Sequence, residues 1–310
     1  MRNIITFLSC VLMLAFVGSC QKVQAQTISR SREYGFNIGM SSFLGDLGGT
    51  DDIGRPFFWD VDPEVTRPAL GFVFRQEVRP HVAMRFNAFW SELRGADSLS
   101  DNVFRNYRNL SFKSPIVEVS AMGELSFTRY VGPFKKRFNP YVYGGIGLFY
   151  FNPQANLNGQ WIELQPLGTE GQGLEQYPYL EKYSRVALCF PLGGGFRYLL
   201  TNNWVVGFEM AVRYTNTDYI DDVSGYYANP DYYYLNYDPA TAALATELSD
   251  RSDGTRLDLI NPGSPLDDGR GDPTDFDTYI FGGIFTLTYQ IEVRKKPKFG
   301  KCYFKWDKAE

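Results

Sequence analysis

The chain has 310 residues, a formal net charge of -4 and four cysteines. It is 16% aromatic, with 21 Tyr and 25 Phe, a high load for a soluble enzyme, and runs of the strong helix formers Ala, Leu, Glu and Lys are scarce. Beyond the N-terminus no stretch approaches the ~18 consecutive apolar residues of a membrane helix, which excludes a helical span but not a barrel, whose alternating strands have soluble-looking hydropathy.

Residues 1–25 read as a targeting segment. Arg2 supplies the positive start, Ile4 to Val17 the apolar run, and Val23-Gln24-Ala25 a small-residue cleavage site. Val17-Gly18-Ser19 before Cys20 offers a second route, a lipobox with Cys20 as the lipidated first residue. Cleavage after Ala25 is favoured because a barrel needs no lipid anchor. Either route takes the protein out of the cytoplasm.

The first strand is expected over Tyr34–Ser42, where Tyr34, Phe36, Ile38 and Met40 alternate with Gly35, Asn37, Gly39 and Ser41. A Gly/Asp loop follows to about Thr66. Strands over Ala69–Val78 and Val82–Leu93 flank the tight turn Arg79-Pro80-His81. After a polar loop from Gly95 to Asn109, the fourth strand is expected over Ile116–Tyr130, and Lys135-Lys136-Arg137 sits in a short basic turn. The fifth, Tyr141–Phe151, has less clear faces because glycines interrupt both. A long loop, Asn152–Tyr183, leads to a sixth strand over Arg185–Leu199. Thr201-Asn202-Asn203 turns the chain into a seventh, Trp204–Tyr214. The longest loop then runs to Thr278, with one short helix expected at Pro239–Arg251. The eighth strand is Tyr279–Ile291, with Thr286, Thr288 and Gln290 on its polar face.

Eight strands of 9–15 residues, joined alternately by short and long connections, are the pattern of an eight-stranded antiparallel outer-membrane β-barrel with periplasmic turns and long extracellular loops. A soluble sandwich or lipocalin-like barrel would also alternate. One face carries Arg75, Glu77, Arg85, Glu118, Glu124, Glu209, Arg213 and Arg197 among small residues. Mixed charges of this kind suit an open water face. They equally suit the narrow interior of an eight-stranded barrel, where they can pair. The membrane barrel is the reading adopted, with Arg75, Glu77, Arg85, Glu118, Glu124, Glu209 and Arg213 as a paired interior network and outer-membrane lipids as the surroundings. The resulting division is a signal peptide over 1–25, a barrel over 32–292 and a basic tail over 293–310.

Charge is segregated along the chain. Asp218–Asp277 holds 14 acidic residues against three arginines, and the tail after Val293 holds seven basic residues against two acidic ones. The tail is either an ordinary basic flank or a patch that docks on a partner. Nothing in the sequence points to nucleic acid.

The single histidine, His81, lies in a short turn, while the long loops where a barrel enzyme would keep its base have none. The chain is therefore expected not to be an enzyme, and no cofactor is implied. Asp218, Asp221 and Asp222, with Asp46, could gather oxygen ligands for calcium, but their spacing is not that of an EF-hand and loop-rim carboxylates more often cap turns. No metal site is assigned. Gly193-Gly194-Gly195 reads as a strand that admits a bulky interior side chain, not as a phosphate loop. Tyr232-Tyr233-Tyr234 reads as interfacial or loop packing, with glycan binding as the lesser option.

The stretch Thr215 to Tyr227, with Asp218, Tyr219, Asp221, Asp222, Ser224 and Gly225, resembles the hallmark of the PorG-like outer-membrane proteins, the DUF6089 family of the type IX secretion and gliding machinery. Gly39–Leu47, Arg108–Phe112, Pro140–Pro153, Pro166–Gly173, Ala242–Ala245 and the Cys302 tail fit the same resemblance in the same order. It implies a barrel that anchors or positions the periplasmic ring built from the lipoprotein PorK and PorN. Separately, the order of long and short connections and the basic tail lead to the expectation that both the N- and C-termini are periplasmic. The alternative is a surface barrel whose acidic loops bind a glycan, ion or host molecule.

Cys189 is expected mid-strand inside the barrel, beyond the reach of Cys302 in the tail. A leftover cysteine in an exported protein suggests an intermolecular bond or a free thiol. Lys301 and Lys305 would favour its thiolate. Phe299, Tyr303, Phe304 and Trp306 give the segment aromatic docking groups. The resemblance makes the ring lipoprotein the expected partner of Cys302.

Overall fold

The computed structural model describes residues 29–47, 64–100, 102–128, 136–252 and 269–294. Residues 30–293 form one compact unit. The expected signal segment and the tail with Cys302 lie outside the described residues.

In chain order the elements are β1 (Ser29–Leu44), β2 (Arg67–Arg79), β3 (Val82–Ala96), a 3-10 turn (Asp97–Leu99), α1 (Val103–Arg108), β4 (Ser111–Ser126), β5 (Phe138–Phe151), β6 (Gln154–Leu157), β7 (Gln160–Glu163), β8 (Val186–Leu199), β9 (Trp204–Thr215), α2 (Pro230–Asn236), α3 (Pro239–Ser249) and β10 (Thr278–Arg294). Eight long strands pair in the order β3-β2-β1-β10-β9-β8-β5-β4, and β3 pairs with β4 to close the sheet. Closure leaves no edge among these strands, so their backbone N–H and C=O groups are satisfied within the sheet.

The strand faces decide what kind of barrel this is. The apolar residues point outward, with Phe36 73% and Phe285 61% exposed, while Arg85, Glu118 and Arg213 are buried. A barrel closed in water would reverse that arrangement. On β3 the outward apolar residues run from Val82 to Trp90, about 26 Å of strand. Tilted by ~40°, this gives a band of roughly 20 Å, close to the apolar belt of an outer-membrane barrel. Near the short-turn rim Trp204 and Tyr289 pack edge to face, ring centroids 5.3 Å apart, where amphipathic rings suit a membrane–water boundary. Among the described residues no helix is long and apolar enough to cross a membrane.

β1 begins at Ser29 and not at Tyr34, and two further strands depart from the expected pattern. β4 begins at Ser111 and not at Ile116, because Pro115 sits within the strand opposite Glu92 and the ladder with β3 continues to Ser111 opposite Ala96. It ends at Ser126 and not at Tyr130. In β10 the register with β9 shifts between Phe281 and Ile284. Gly282 and Gly283 form a bulge there, with Gly283 at φ 54°. The inward positions therefore switch from Tyr279 and Phe281 to Ile284, Thr286 and Thr288, which an uninterrupted period of two cannot reproduce. In β8, a Cβ on Gly193 would lie 2.8 Å from the Tyr143 ring, so that glycine makes room for a bulky interior side chain.

The connections differ by end. β2–β3 and β8–β9 are joined by short turns, whereas the opposite rim carries a structured cap. α2 and α3 begin with the same device. Pro230 and Pro239 open them, and Asn229 and Asp238 accept backbone N–H groups, Asp231 N at 3.0 Å and Ala240 N at 3.1 Å. Ala242, Ala245 and Leu248 of α3 pack with Tyr233 of α2, Ala155 of β6, and Leu164, Leu167 and Leu174 into a core separate from the barrel's own. The sequence leads one to expect a polar loop here, but these side chains give the cap an apolar centre.

Candidate functional site

The interior is built in layers of charge. Lowest, towards the short turns, Arg75 on β2 bonds Glu33 on β1 at 2.8 Å and Glu124 on β4 at 2.9 Å. Arg197 on β8 meets the same two glutamates, so two arginines and two glutamates from four strands share one closed arrangement. Glu77 lies beside it and accepts from Ser31 N and Oγ at 3.2 and 3.4 Å. In the next layer Arg85 Nη2 donates to Glu209 Oε2 at 2.7 Å. Tyr141 and Tyr143 also donate to Glu209, at 2.5 and 3.2 Å. Above that, Arg213 Nε and Tyr279 OH donate to Glu118 Oε2 at 3.1 and 3.0 Å, and the Arg213 guanidinium lies 4.3 Å from the centre of the Phe281 ring. Arg75, Arg85, Glu118, Glu124, Glu209 and Arg213 thus all take part in buried ion pairs. Glu33 and Arg197 join them. Glu33 was not singled out in the sequence, although it shares the inward parity of Gly35 and Asn37. The void within the network is about 20 Å³, room for about one water. This interior is filled.

Aromatic rings connect the top of the network to the cap. Phe89 lies 4.7 Å from Phe281, and Tyr279 lies 5.5 Å from Phe149. Phe149 leads on through Phe151 to Tyr183, which stacks on Tyr219 at 4.6 Å with planes 7° apart. Tyr219 belongs to the segment 217–226, which sits at the barrel mouth as the hub of the cap. Ile220 and Val223 are buried in the barrel's own core.

The acidic residues of this hub hold backbone. Asp221 accepts from Leu47 N at 3.1 Å and Val223 N at 3.0 Å. Asp222, at φ 68° in the left-handed region, accepts from Tyr183 OH at 2.6 Å and from the Thr169 hydroxyl. Ser224 N and Gly225 N both donate to Glu170 Oε1, at 2.9 and 3.1 Å. Arg270 closes the arrangement. It bonds Glu170 at 3.2 Å, Ser249 O at 3.1 Å and the Asp222 carbonyl. Beside it, Arg108 forms a two-pronged pair with Asp97 at 2.7 and 2.8 Å and reaches Asp46 O at 2.7 Å and Arg270 O at 2.5 Å. Asp277, at the foot of β10, accepts from Ile220 N at 2.8 Å.

Burial sets the electrostatics. Desolvation pushes the Asp218 carboxyl up to about 7 and Asp46 up to about 6. It holds Asp221 and Asp277 well above the usual carboxylate range, with neighbouring carboxylates adding to the effect. Among the described residues no group of three or more His, Cys, Asp or Glu is placed to hold a metal ion. His81 lies in the β2–β3 turn at the short-turn rim, its Nδ1 2.9 Å from Ser126 O. Cys189 is buried. Cys302 lies outside the described residues.

Asp218, Tyr219, Asp221, Asp222, Ser224 and Gly225 stand out in the sequence, whereas their partners Glu170, Thr169, Arg108 and Arg270 do not. Three of those partners lie in short blocks already noted, Arg108–Phe112 and Pro166–Gly173, and Leu47 closes the block Gly39–Leu47. The structure brings these separate blocks together around one hub. Arg270 carried no local signal beyond its place among acidic residues.

A family model described as a domain of unknown function, DUF6089, matches residues 7–166. No curated protein matches. Among solved structures, the attachment invasion locus protein Ail of Yersinia pestis, in complex with the heparin analogue sucrose octasulfate, is 8% identical, with TM-score 0.34 over 86% of this chain and 100% of that one. OprG from Pseudomonas aeruginosa is 9% identical, with TM-score 0.34 over 87% of this chain and 99% of that one. The outer membrane protein W of E. coli is 14% identical, with TM-score 0.32 over 84% and 97%.

Proposed function

The chain belongs to the DUF6089 family, and on that premise we propose that it is a non-enzymatic outer-membrane barrel of the type IX secretion and gliding machinery, anchoring or positioning the periplasmic PorK–PorN ring. The observation that carries the reading is the sealed body. Its exterior is apolar, its interior is locked by buried ion pairs around a void of about 20 Å³, and its mouth is closed by the hub of residues 217–226. Such a body fixes a position in a membrane.

β1 rises from, and β10 returns to, the rim of the short turns. Both ends of the barrel therefore share that rim, which the proposal places in the periplasm. Cys302 in the basic tail is proposed to join a thiol of the ring lipoprotein.

Affinity purification of the tagged chain from outer membranes, with mass spectrometry of what is retained, tests the proposal. The ring proteins should co-purify with the full chain, be lost on deletion of residues 295–310, and migrate with the chain as a thiol-sensitive band that Cys302→Ser abolishes. Barrels that insert normally yet bring down no ring protein would sink the secretion role. The alternative, a surface barrel whose acidic loops bind a ligand, would leave retention indifferent to the tail.

A further inference from the structure

The apolar exterior ends, towards the cap, on Trp90 of β3, Val117 of β4 and Tyr150 of β5, which are 52%, 49% and 40% exposed. Above them the same outward face turns polar. Arg94 lies four residues beyond Trp90, and Lys113 lies four residues beyond Val117 on the adjacent strand. This places both about 10 Å higher along tilted strands. It is the level at which lipid headgroups meet a barrel.

Arg94 and Lys113 are direct cross-strand partners. Two cations facing each other across a strand pair are destabilising unless something stands between them. Trp161, brought over by the β6–β7 hairpin, partly fills that role. Its ring centre is 3.9 Å from Lys113 Nζ and 5.9 Å from the Arg94 guanidinium carbon. Hairpin and barrel are joined at this point, where Gln154 of β6 pairs with Lys113 of β4.

The nearby carboxylates are engaged elsewhere or only in part. Glu92 bonds Arg94 Nε at 2.6 Å, and Glu163 is held by Arg185 at 2.8 Å and by Asn152 at 3.0 Å. Among the described residues no carboxylate comes within ion-pair distance of Lys113. What remains is an uncompensated ammonium and a half-satisfied guanidinium beside an indole that is 43% exposed, on the membrane-facing side at headgroup height.

We propose that Arg94, Lys113 and Trp161 bind the phosphate of a membrane lipid headgroup at the capped rim. The phosphate oxygens accept from the ammonium and the free edge of the guanidinium. The indole packs against the sugar or glycerol that carries the phosphate. A bound dianion also relieves the repulsion between the two cations. The proposal rests on the membrane-spanning fold and is independent of the secretion role.

The test uses the full chain in phosphatidylcholine nanodiscs doped either with bisphosphorylated lipid A or with the same lipid after enzymatic removal of its phosphates. Lipid retained after detergent extraction is counted by native mass spectrometry. Wild type should retain the phosphorylated lipid roughly fivefold or more over the dephosphorylated one, the size of one good charge-assisted contact. R94Q/K113Q should fall to the dephosphorylated level and Trp161→Ala part of the way, while Lys136→Gln at the opposite rim should be unchanged. Equal retention of the two lipids, or equal loss in Lys136→Gln, overturns the proposal. Displacement by millimolar inorganic phosphate would overturn its commitment to a lipid. A chain that fails to insert, judged by loss of its heat-modifiable gel mobility, would sink the membrane-spanning reading itself. An inserted barrel without preference sinks only the proposal.

Discussion

The barrel interior and the cap bury similar residues for different ends. In the interior, carboxylates meet arginines from other strands. Glu33 and Glu124 are shared by Arg75 and Arg197, Glu209 faces Arg85, and Glu118 faces Arg213. In the cap, carboxylates outnumber cations, and most of their bonds go to backbone N–H groups and hydroxyls. The first arrangement ties strands together by charge. The second fixes loop geometry, and burial favours the proton on its Asp46, Asp218, Asp221 and Asp277. One protein thus has a body held by ion pairs and a lid held by turn capping. The two should answer differently to substitution and to pH.

The largest expected effect lies in the body. Glu209→Leu removes the partner of Arg85 and the acceptor of both Tyr141 and Tyr143. Leaving a buried guanidinium uncompensated costs about 3–5 kcal/mol. Urea unfolding from lipid vesicles, followed by heat-modifiable gel mobility, should show a loss of that order. Replacing Arg85 and Glu209 together by Leu should recover a good part of it. If the double variant were as unstable as the single one, packing and not charge would be what the layer supplies.

The next effect belongs to the lid and should stay there. Glu170→Ala strips the acceptor from Ser224 N and Gly225 N and one of the carboxylates from Arg270. Each orphaned buried donor costs about 1–3 kcal/mol. Hydrogen exchange should rise across residues 217–228 and 269–272, with β2, β3 and β9 unchanged. Equal loosening of the strands would mean that the cap and the barrel are one cooperative unit, and the comparison between them would fail.

pH separates the two regions without mutation. Asp218 and Asp46, raised to about 7 and about 6, titrate near 3.8 once the cap opens. The closed cap therefore binds more protons than the open one between those values. Its extra stability is fully present below about pH 4 and is lost as pH rises through 6 to 7. Protection of residues 217–226, corrected for intrinsic exchange, should fall from pH 5 to pH 8, and Asp218→Asn should flatten part of the change. A cap that tightened on alkalinisation would show that these carboxyls are ionised in place.

The sequence made the barrel legible because each strand had to present an apolar face to lipid, and a period of two survives in the residues. Trp204–Thr215 was readable almost to the residue for this reason. The β10 bulge was hidden, since Gly282-Gly283 changes parity without changing composition. The cap was harder still. Asn229-Pro230 carries the same helix-start signal as Asp238-Pro239, but its helix is only seven residues long and rich in Tyr. In the hub, the aspartates were visible as a cluster. Their partners were not, because Leu47, Arg108 and Thr169 come from three other connections and Arg270 from the far end of the hub's own, and they meet only once the barrel closes.

The smallest predicted effect probes the seam between body and lid. Gly283 holds the bulge that turns Tyr279 and Phe281 into the aromatic layer under the cap and Thr286 and Thr288 into the wall of the ion-pair layers. Its φ of 54° lies where residues with a Cβ are strained, by about 1–2 kcal/mol. The space itself is adequate, since the nearest atom to an added Cβ is Met40 Cε at 3.4 Å. The whole effect of Gly283→Ala should therefore be backbone strain, and Gly283→Asn should lose less because Asn tolerates this conformation better. Because the bulge serves both regions, the loss should appear equally in urea unfolding of the barrel and in exchange from residues 217–226. An effect confined to the cap would place the bulge with the lid, and one confined to the strands would place it with the body. An Ala variant as stable as wild type would show that β10 reaches the same two-faced register without it.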